Sequence, residues 1–270
     1  MRCSHRDHFE GHHAFRYVVT CRSDNALSNP LDKRSHHERE NMKIGIIGAG
    51  AIGSTLARVA VRCGHEVAMA NSTGMGNLQE LAQAAGCHGG KLTEVTQFSD
   101  LLILAIPLKA IWQLEPSLFE GKIVLDANNY YPARDGVISA LERQETTTSG
   151  MLQAHLGNRA KVVKFFNAIM QRDIESDARP LGTSPRRALP MAGNDLDAKK
   201  IAAELMNQFG FDAIDAGTLE ESWRFERAMP CYCIALIAEK LTTALASAQR
   251  GVELPHGSWQ TSRRFIQAYG

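Results

Sequence analysis

The stretch that decides the fold reads Ile44-Gly-Ile-Ile-Gly48-Ala-Gly50-Ala-Ile-Gly53. It begins with apolar β-branched residues, as a buried strand does, and a helical pattern over 51–63 follows it. Between strand and helix, the three glycines have the G-x-G-x-x-G spacing of a dinucleotide-binding turn. Gly48 permits the tight turn, Gly50 lets the backbone approach a pyrophosphate, and Gly53 lets the helix pack closely on the strand.

The start of the predicted helix supplies the binding chemistry of this turn. The backbone N–H groups of Ala51, Ile52 and Gly53 have no acceptor within the helix, and the helix dipole favours a negative charge beside them. We therefore predict that the turn binds the diphosphate of a dinucleotide. The alternative is a glycine-rich turn that binds no ligand.

The end of the second predicted strand bears on which dinucleotide binds. NAD-specific sites carry Asp or Glu there for the ribose 2′-hydroxyl, whereas this chain reads Asn71-Ser72-Thr73. These side chains can donate hydrogen bonds to a 2′-phosphate, so we favour NADP and leave NAD open. No Arg or Lys lies between Val67 and Gly90 to pair with that phosphate. A plain polar turn over 71–76 is the alternative.

Short apolar runs alternate with helical stretches after Met42, which indicates a sheet covered by helices on both faces. We predict a Rossmann-type, doubly wound α/β fold with a mainly parallel sheet and a small C-terminal helical addition. The predicted strands are 43–48, 66–70, 101–106, 123–126, 162–165, 189–192 and 212–215. The predicted helices are 51–63, 77–85, 137–143, 195–208 and 228–250, and 172–187 is a predicted loop. The predicted domains are a poorly ordered extension over 1–41, a dinucleotide-binding domain over 42–217 and a helical segment over 218–270.

Composition excludes several classes of protein. The chain has 270 residues with 30 Lys+Arg against 29 Asp+Glu, so it lacks the positive charge of a nucleic-acid or polybasic membrane binder. Its 44% of hydrophobic residues excludes a mostly disordered chain. No apolar run approaches the roughly 18 residues of a membrane-spanning helix. The extension over 1–41 is polar and holds six of the ten histidines, so we expect a solvated tail or a misassigned start before Met42. We expect a cytoplasmic protein.

Two features that resemble metal or redox sites are given a plainer interpretation. Cys231-Tyr-Cys233 lacks a second cysteine pair and adjoins an apolar run, so two packed thiols are expected rather than a zinc site. His155 is expected on a helix surface. We predict no metal site.

Several further motifs resemble one known family. The chain from Met42 to about Arg224 is similar to NADPH-dependent coenzyme F420 reductases and their bacterial dinucleotide-binding relatives, in the family's order. The motifs that carry the resemblance are the Met42–Gly50 start, Asn71-Ser72, Leu104-Ala-Ile-Pro107, Asp126-Ala-Asn-Asn-Tyr-Tyr131, Val163-Lys-Phe-Phe-Asn-Ala-Ile169 and Glu221-Ser-Trp-Arg224. Relatives often have Arg after the Asn-Ser pair, where this chain has Thr73.

The resemblance implies a homodimer with NADP(H) across the carboxyl edge of the sheet. In the members that use F420, hydride passes directly between the nicotinamide and a stacked deazaflavin ring. The cofactors carry the chemistry of such a reaction, and the protein supplies orientation.

Strand ends at the carboxyl edge line the ligand crevice of a doubly wound sheet, which gives further candidates. Ile106 and Pro107 are expected to wall the nicotinamide, although Pro107 also serves to end a strand. Asn128 and Asn167 are candidates for the carboxamide or ribose, with a turn as the alternative for Asn128. Tyr130 and Tyr131 are candidates for capping a planar ring in a substrate pocket. The alternative is that they fill the edge of the core.

Three functions fit these observations. The leading hypothesis is an NADP(H)-dependent oxidoreductase that exchanges hydride with a second planar acceptor, such as a deazaflavin, a flavin-like compound or a quinone. A relative of β-hydroxyacid dehydrogenases or pyrroline-carboxylate reductases is the second, weakened by the short segment after the last strand. The third is a non-catalytic module that senses NADP(H).

Overall fold

The computed structural model describes residues 41–71, 76–255 and 265–269. The strands are β1 (Lys43–Ile47), β2 (Glu66–Ala70), β3 (His88–Gly89), β4 (Leu101–Leu104), β5 (Lys122–Asp126), β6 (Ala160–Lys164), β7 (Ala188–Gly193) and β8 (Asp212–Asp215). The α-helices are α1 (Ala51–Arg62), α2 (Leu78–Ala85), α3 (Leu92–Phe98), α4 (Pro132–Asp135), α5 (Ser139–Glu142), α6 (Thr148–Leu156), α7 (Gln171–Ser176), α8 (Leu196–Gln208), α9 (Ala238–Ser247) and α10 (Phe265–Tyr269).

The eight strands form one sheet in the order β3-β2-β1-β4-β5-β6-β7-β8. Every neighbouring pair is parallel except β6 and β7, which run antiparallel. The carboxyl ends of β1 to β6 therefore meet at one edge, which we call the carboxyl edge. The predicted Rossmann-type α/β fold is confirmed.

Alternation along the central strands explains why helices cover both faces of the sheet. Ile44 and Ile46 of β1 face a core that includes α1, α2 and α8, whereas Ile47 faces a second core that includes α6. Because both faces of a parallel sheet are buried, its strands are apolar throughout, as β4 is with its sequence Leu-Leu-Ile-Leu.

The C-terminal segment packs on the end of the sheet. Residues of β7 and β8 form a third core with Phe225, Tyr232 and Leu241. The helix predicted over 228–250 is wrong over 228–237, since the α-helix here spans only Ala238–Ser247. Ala228 and Cys233 have φ values of 68° and 56°, in the left-handed region, and Pro230 lies between them. Such a backbone cannot continue a right-handed helix.

Other differences from the prediction are local. The two-residue β3 and the helices α3 and α6 were not expected, and α7 lies partly inside the predicted loop over 172–187. The predicted helix over 137–143 is reduced to α5. Except for Asn41, the predicted N-terminal extension lies outside the described residues. No described helix is both long and apolar enough to cross a lipid bilayer.

Candidate functional site at the carboxyl edge

The glycine-rich turn is held in a conformation that tolerates no side chain at two of its positions. Gly48 has a φ of 111°, and its N–H donates to the carbonyl of Ala70 at 2.8 Å, which joins β1 to the end of β2. A Cβ at Gly48 would lie 2.2 Å from the carbonyl oxygen of Ala105, and one at Gly53 would lie 1.8 Å from that of Gly48. Both contacts are far below van der Waals distance, so the turn requires glycine there.

Gly50 differs from these two glycines because a side chain added to it would point into open space. A Cβ built on it would meet no atom within 4 Å. Gly50 is the N-cap of α1, and no side chain accepts a hydrogen bond from the first turn, which also contains no acidic residue. In this first turn Ala51 is exposed and Ile52 is half-buried, whereas Gly53 is buried. Binding of an anion by these amides stays a prediction.

The helix that carries these amides is anchored to its neighbour. Arg58 of α1 donates to Glu175 of α7 at 2.8 Å, and Arg62 bonds the same carboxylate. The hydrogen bond from Arg58, with that from Arg62, lowers the pKa of Glu175 from its ordinary value of 4.5 to about 2. Glu175 therefore remains ionised and paired at neutral pH.

At the end of β2, Asn71 is half-buried next to the turn, while Ser72 and Thr73 lie outside the described residues. The short strand β3 pairs with β2 in parallel, with Met69 opposite Gly89, and Gly90 donates to the carbonyl of Met69 at 2.9 Å. Lys91 is exposed and follows β3, the strand that pairs with β2, by two residues. Sequence reasoning did not associate Lys91 with β2, because β3 was not expected.

Two predicted residues, Ile106 and Asn128, are joined by a hydrogen bond across the ends of β4 and β5. The Oδ1 of Asn128 accepts from the backbone N–H of Ile106 at 2.8 Å, which identifies its Nδ2 as the other amide atom. That Nδ2 is buried and has no hydrogen-bond partner in the structure. Pro107 is half-buried and begins the 3-10 helix Leu108–Gln113, so it ends the strand as well as lining the edge.

Asn167 follows β6, and its unpaired amide atom is the oxygen rather than the nitrogen. Its Nδ2 donates to Phe225 O at 3.0 Å and to Asn129 Oδ1 at 3.2 Å, which leaves its buried Oδ1 without a partner. The Nδ2 of Asn129 returns a bond to the backbone carbonyl of Asn167 at 2.9 Å. At the carboxyl edge, Asn128 thus has an unpaired buried donor and Asn167 an unpaired buried acceptor.

A buried ionic cluster contacts the backbone of Asn128. Lys164, with no exposed surface, donates to Asp126 Oδ2 at 3.3 Å, to the carbonyl of Asn128 at 2.5 Å and to Thr148 Oγ1 at 2.6 Å. Thr148 Oγ1 in turn donates to Glu226 at 2.6 Å. The only sequence signal for this cluster was a charged residue in the otherwise apolar run Val163-Lys-Phe-Phe.

The structure separates the two predicted ring-capping tyrosines. The hydroxyl of Tyr130 donates to Glu142 at 2.8 Å and accepts from the N–H of Ile138 at 3.0 Å. Burial, with the neighbouring carboxylate of Glu142, raises the pKa of Tyr130. Tyr131 instead shares a 2.5 Å hydrogen bond with the hydroxyl of Tyr232. Both hydroxyls are therefore engaged, and Tyr130 also lines a cavity.

That cavity has a volume of about 230 Å³ and lies between the segment after β5 and the C-terminal segment. Its charged and aromatic lining residues are Tyr130, Glu142, Trp223, Glu226, Arg227, Arg250 and Glu253. Arg250 lies 5.0 Å from the centre of the Trp223 ring. A larger cavity, of about 470 Å³, is lined by Ala160 and Lys161 at the amino end of β6. We place no function there, because it is at the opposite edge from the glycine-rich turn.

Two further sequence candidates have ordinary surroundings. Cys231 and Cys233 are buried in the third core, and burial raises the pKa of both thiols to about 12. Among the described residues, no three His, Cys, Asp or Glu side chains gather as metal ligands would. His155 is half-buried on α6 and bonds the carbonyl of Leu114 at 2.9 Å.

Comparison with known proteins agrees with this geometry. A family model described as NADP oxidoreductase, coenzyme F420-dependent, matches residues 43–130, from β1 to Tyr130. The crystal structure of the protein SMa0349 from Sinorhizobium meliloti is 30% identical, has a TM-score of 0.60, and covers 73% of this chain and 95% of that chain. The chain is therefore similar to the F420-dependent NADP oxidoreductase family over residues 43–130, and to SMa0349 over nearly the whole of that protein. The resemblance stated from the sequence motifs is confirmed, and the family is one of NAD(P)-dependent oxidoreductases.

Two other relatives extend the comparison. YjhV of Escherichia coli K12 is 31% identical over 78 residues, which are 29% of this chain and 57% of that protein. The chain therefore spans little more than half the length of this curated relative. A candidate F420-dependent NADP reductase from Arthrobacter sp. FB24 is 23% identical, with a TM-score of 0.55 over 68% of this chain and 88% of that chain, and shares the fold.

Proposed function

We propose that the protein is an NADP(H)-dependent oxidoreductase that transfers hydride between the nicotinamide and a second, planar acceptor. The observation that carries the proposal is the pair of unpaired buried amide atoms, Asn128 Nδ2 and Asn167 Oδ1, at the same edge as the glycine-rich turn. A carboxamide has one acceptor and one donor, so its oxygen and its NH2 group match these two atoms. Buried polar atoms without partners are costly, and a bound carboxamide would satisfy both.

The residues of the turn fit the rest of a dinucleotide. Gly50 leaves open space where a pyrophosphate would approach the backbone, and the amides of Ala51 to Gly53 would donate to it. Ile106 and Pro107 would wall the nicotinamide. When bound, the nicotinamide supplies or takes up the hydride, so the residues of this chain have to orient the two rings and exclude water.

The preference for NADP over NAD is supported by charge at the end of β2. Asn71 offers an amide, and no carboxylate replaces it there. Lys91, two residues after the neighbouring strand β3, supplies a positive charge that we assign to the 2′-phosphate. The nearby carboxylate of Glu94 accepts from the backbone N–H of Lys91 at 2.8 Å and is engaged in starting α3. Ser72 and Thr73 remain candidates for the same phosphate.

We place the acceptor in the cavity beside Tyr130. Its lining offers aromatic surface from Tyr130 and Trp223, with the guanidinium of Arg250 over the Trp223 ring. A planar molecule, such as a deazaflavin or a flavin, suits an aromatic lining of this kind. A homodimer, which rests on the family resemblance, and a cytoplasmic location, expected from the composition, complete the proposal.

Titration of the purified protein with NADPH and NADH, followed by nicotinamide fluorescence, tests the proposal. Addition of F420 or FMN should then cause NADPH oxidation, seen as a loss of absorbance at 340 nm. Tight NADPH binding without turnover of any acceptor would favour a sensor of NADP(H). Failure to bind either nucleotide would refute the proposal.

A further inference from the structure

Lys164 is the last residue of β6, and its ammonium group is completely enclosed by protein. In the sheet register it lies opposite Asp126, the last residue of β5. The loops of the carboxyl edge begin at the next residue of each strand. A buried ammonium is costly unless its hydrogens are all bonded. Here three acceptors are available, namely Asp126, Asn128 and Thr148, and they match its three donors.

The charges around Lys164 are the two carboxylates of Asp126 and Glu226. Asp126 has no exposed surface and also accepts from the hydroxyl of Ser149. Glu226 receives two hydrogen bonds from Thr148, from the backbone N–H at 2.8 Å and from Oγ1 at 2.6 Å. Thr148 therefore connects Lys164 to the wall of the acceptor cavity, which Glu226 lines.

The main consequence concerns Asn128, because the ion pair holds both of its backbone polar groups. The carbonyl of Asn128 accepts from Lys164 at 2.5 Å, and its N–H donates to Asp126 Oδ1 at 3.0 Å. The side-chain Oδ1 is fixed separately by Ile106. Once these three bonds are made, the position of the unpaired Nδ2 is determined.

We propose that Lys164 is a positioning residue that sets the affinity of the site for the nicotinamide half of the dinucleotide. It does so by holding the backbone carbonyl of Asn128. This inference rests on the proposed function, since it concerns the same site. Lys164 does not touch the ligand and acts only through Asn128. The binding of the phosphate half depends on the glycine-rich turn, which Lys164 does not contact, and should be independent of it.

The alternative is that the ion pair only stabilises the fold, and the chain offers a matched control for it. Lys199 of α8 donates to Asp215 at 2.8 Å, and both side chains are nearly buried. Because β7 and β8 run in the opposite direction to β6, Asp215 at the end of β8 lies at the edge away from the site. Removing either pair should cost stability, but only one removal should affect the nicotinamide.

The test compares the double variant Lys164→Met/Asp126→Asn with the control Lys199→Met/Asp215→Asn. For each folded protein, dissociation constants are measured for NADPH and for 2′-phospho-ADP-ribose, which lacks the nicotinamide. We expect the Lys164 variant to bind NADPH about tenfold more weakly, the loss of roughly one hydrogen bond. It should bind 2′-phospho-ADP-ribose within about twofold of wild type, and the control should bind both ligands within about twofold.

Thr148→Val provides a second variant if the double variant does not fold. It removes one acceptor of Lys164 and keeps both charges, so the same selective loss is expected at about threefold. Equal weakening of both ligands, no weakening of NADPH, or the same selective loss in the control would overturn the role of Lys164. Wild-type protein that binds 2′-phospho-ADP-ribose but gains nothing from the nicotinamide would overturn the proposed function, and this role with it.

Discussion

The two halves of the carboxyl edge are built in different ways. At β1 and β2, the site consists of backbone amides and of space left by absent side chains, as at Gly50. At β5 and β6, it consists of two side-chain amides: Asn128, whose backbone a buried ion pair holds, and Asn167, which bonds the carbonyl of Phe225. The glycines of the first half lie within ten consecutive residues, whereas the second half requires contacts between residues 20 to 80 positions apart. Phosphate binding and nicotinamide binding should therefore respond to different substitutions.

Gly53→Ala should have the largest effect, because it breaks the first half at its tightest contact. Its Cβ would lie 1.8 Å from the carbonyl oxygen of Gly48, and backbone atoms cannot move aside as a flexible side chain can. We expect the free energy of unfolding to fall by about 3 kcal/mol or more. Urea denaturation followed by circular dichroism measures this loss, and a variant as stable as wild type would contradict the packing described here.

Gly50→Val should instead spare the fold and abolish binding. The added side chain meets no protein atom at its Cβ, and the φ of −74° is accessible to any residue. We expect stability within about 1 kcal/mol of wild type and at least about a hundredfold weaker binding of both NADPH and 2′-phospho-ADP-ribose. Calorimetric titration measures both constants. Unchanged affinity would show that the diphosphate lies elsewhere.

Asn128→Asp tests the second half of the edge. The carboxylate can still accept from Ile106, but the unpaired donor becomes an acceptor that repels the carboxamide oxygen. We expect about tenfold weaker binding of NADPH, with little change for 2′-phospho-ADP-ribose. The two dissociation constants decide the outcome, and equal losses for both ligands would argue against a nicotinamide contact.

Lys91→Ala should reduce the preference of the protein for NADPH over NADH. If Lys91 pairs with the 2′-phosphate, the variant should bind NADPH about fivefold more weakly, since exposed ion pairs are modest, and NADH equally well. The effect should shrink as salt concentration rises. Lys161→Ala, at the amino end of β6, is the control and should change neither constant. A loss of NADH affinity in Lys91→Ala would contradict this assignment.

Glu175→Gln should have the smallest effect, through the anchor of α1. The folded-state pKa of Glu175 is lowered to about 2, so its stabilising contribution is present above pH 4.5 and is lost as pH falls towards 2. Since the side chain is one-third exposed, we expect about 1 kcal/mol or less at pH 7. Urea denaturation of both proteins between pH 7 and pH 2 checks this, and a stability difference independent of pH would refute it.

Local patterns predicted the first half of the edge and most of the sheet. The glycine spacing and the apolar runs can each be recognised from a few consecutive residues. For example, β8 at Asp212–Asp215 has the predicted bounds. The two-residue β3 has no periodicity to detect, so Lys91 was not associated with β2. Residues 228–237 are rich in apolar side chains but are bent by tertiary contacts, such as the bond from Cys233 N to the carbonyl of Ala168.

The candidate asparagines were predicted, but the reason for their orientation was not. Asn128 and Asn167 end predicted strands, which suffices to place them at the edge. Their unpaired atoms are defined by bonds to Ile106 and Phe225, and Asn128 is also held by Lys164, which bonds Thr148. No spacing rule connects these residues, because the sheet order and the packing of α6 bring them together.

A crystal structure of the protein soaked with NADPH tests the central claim most directly. Our account predicts the diphosphate within hydrogen-bond distance of the amides of Ala51 to Gly53, and the carboxamide on Asn128 Nδ2 and Asn167 Oδ1. A dinucleotide bound at another edge of the sheet, or bound with its nicotinamide away from both asparagines, would contradict it.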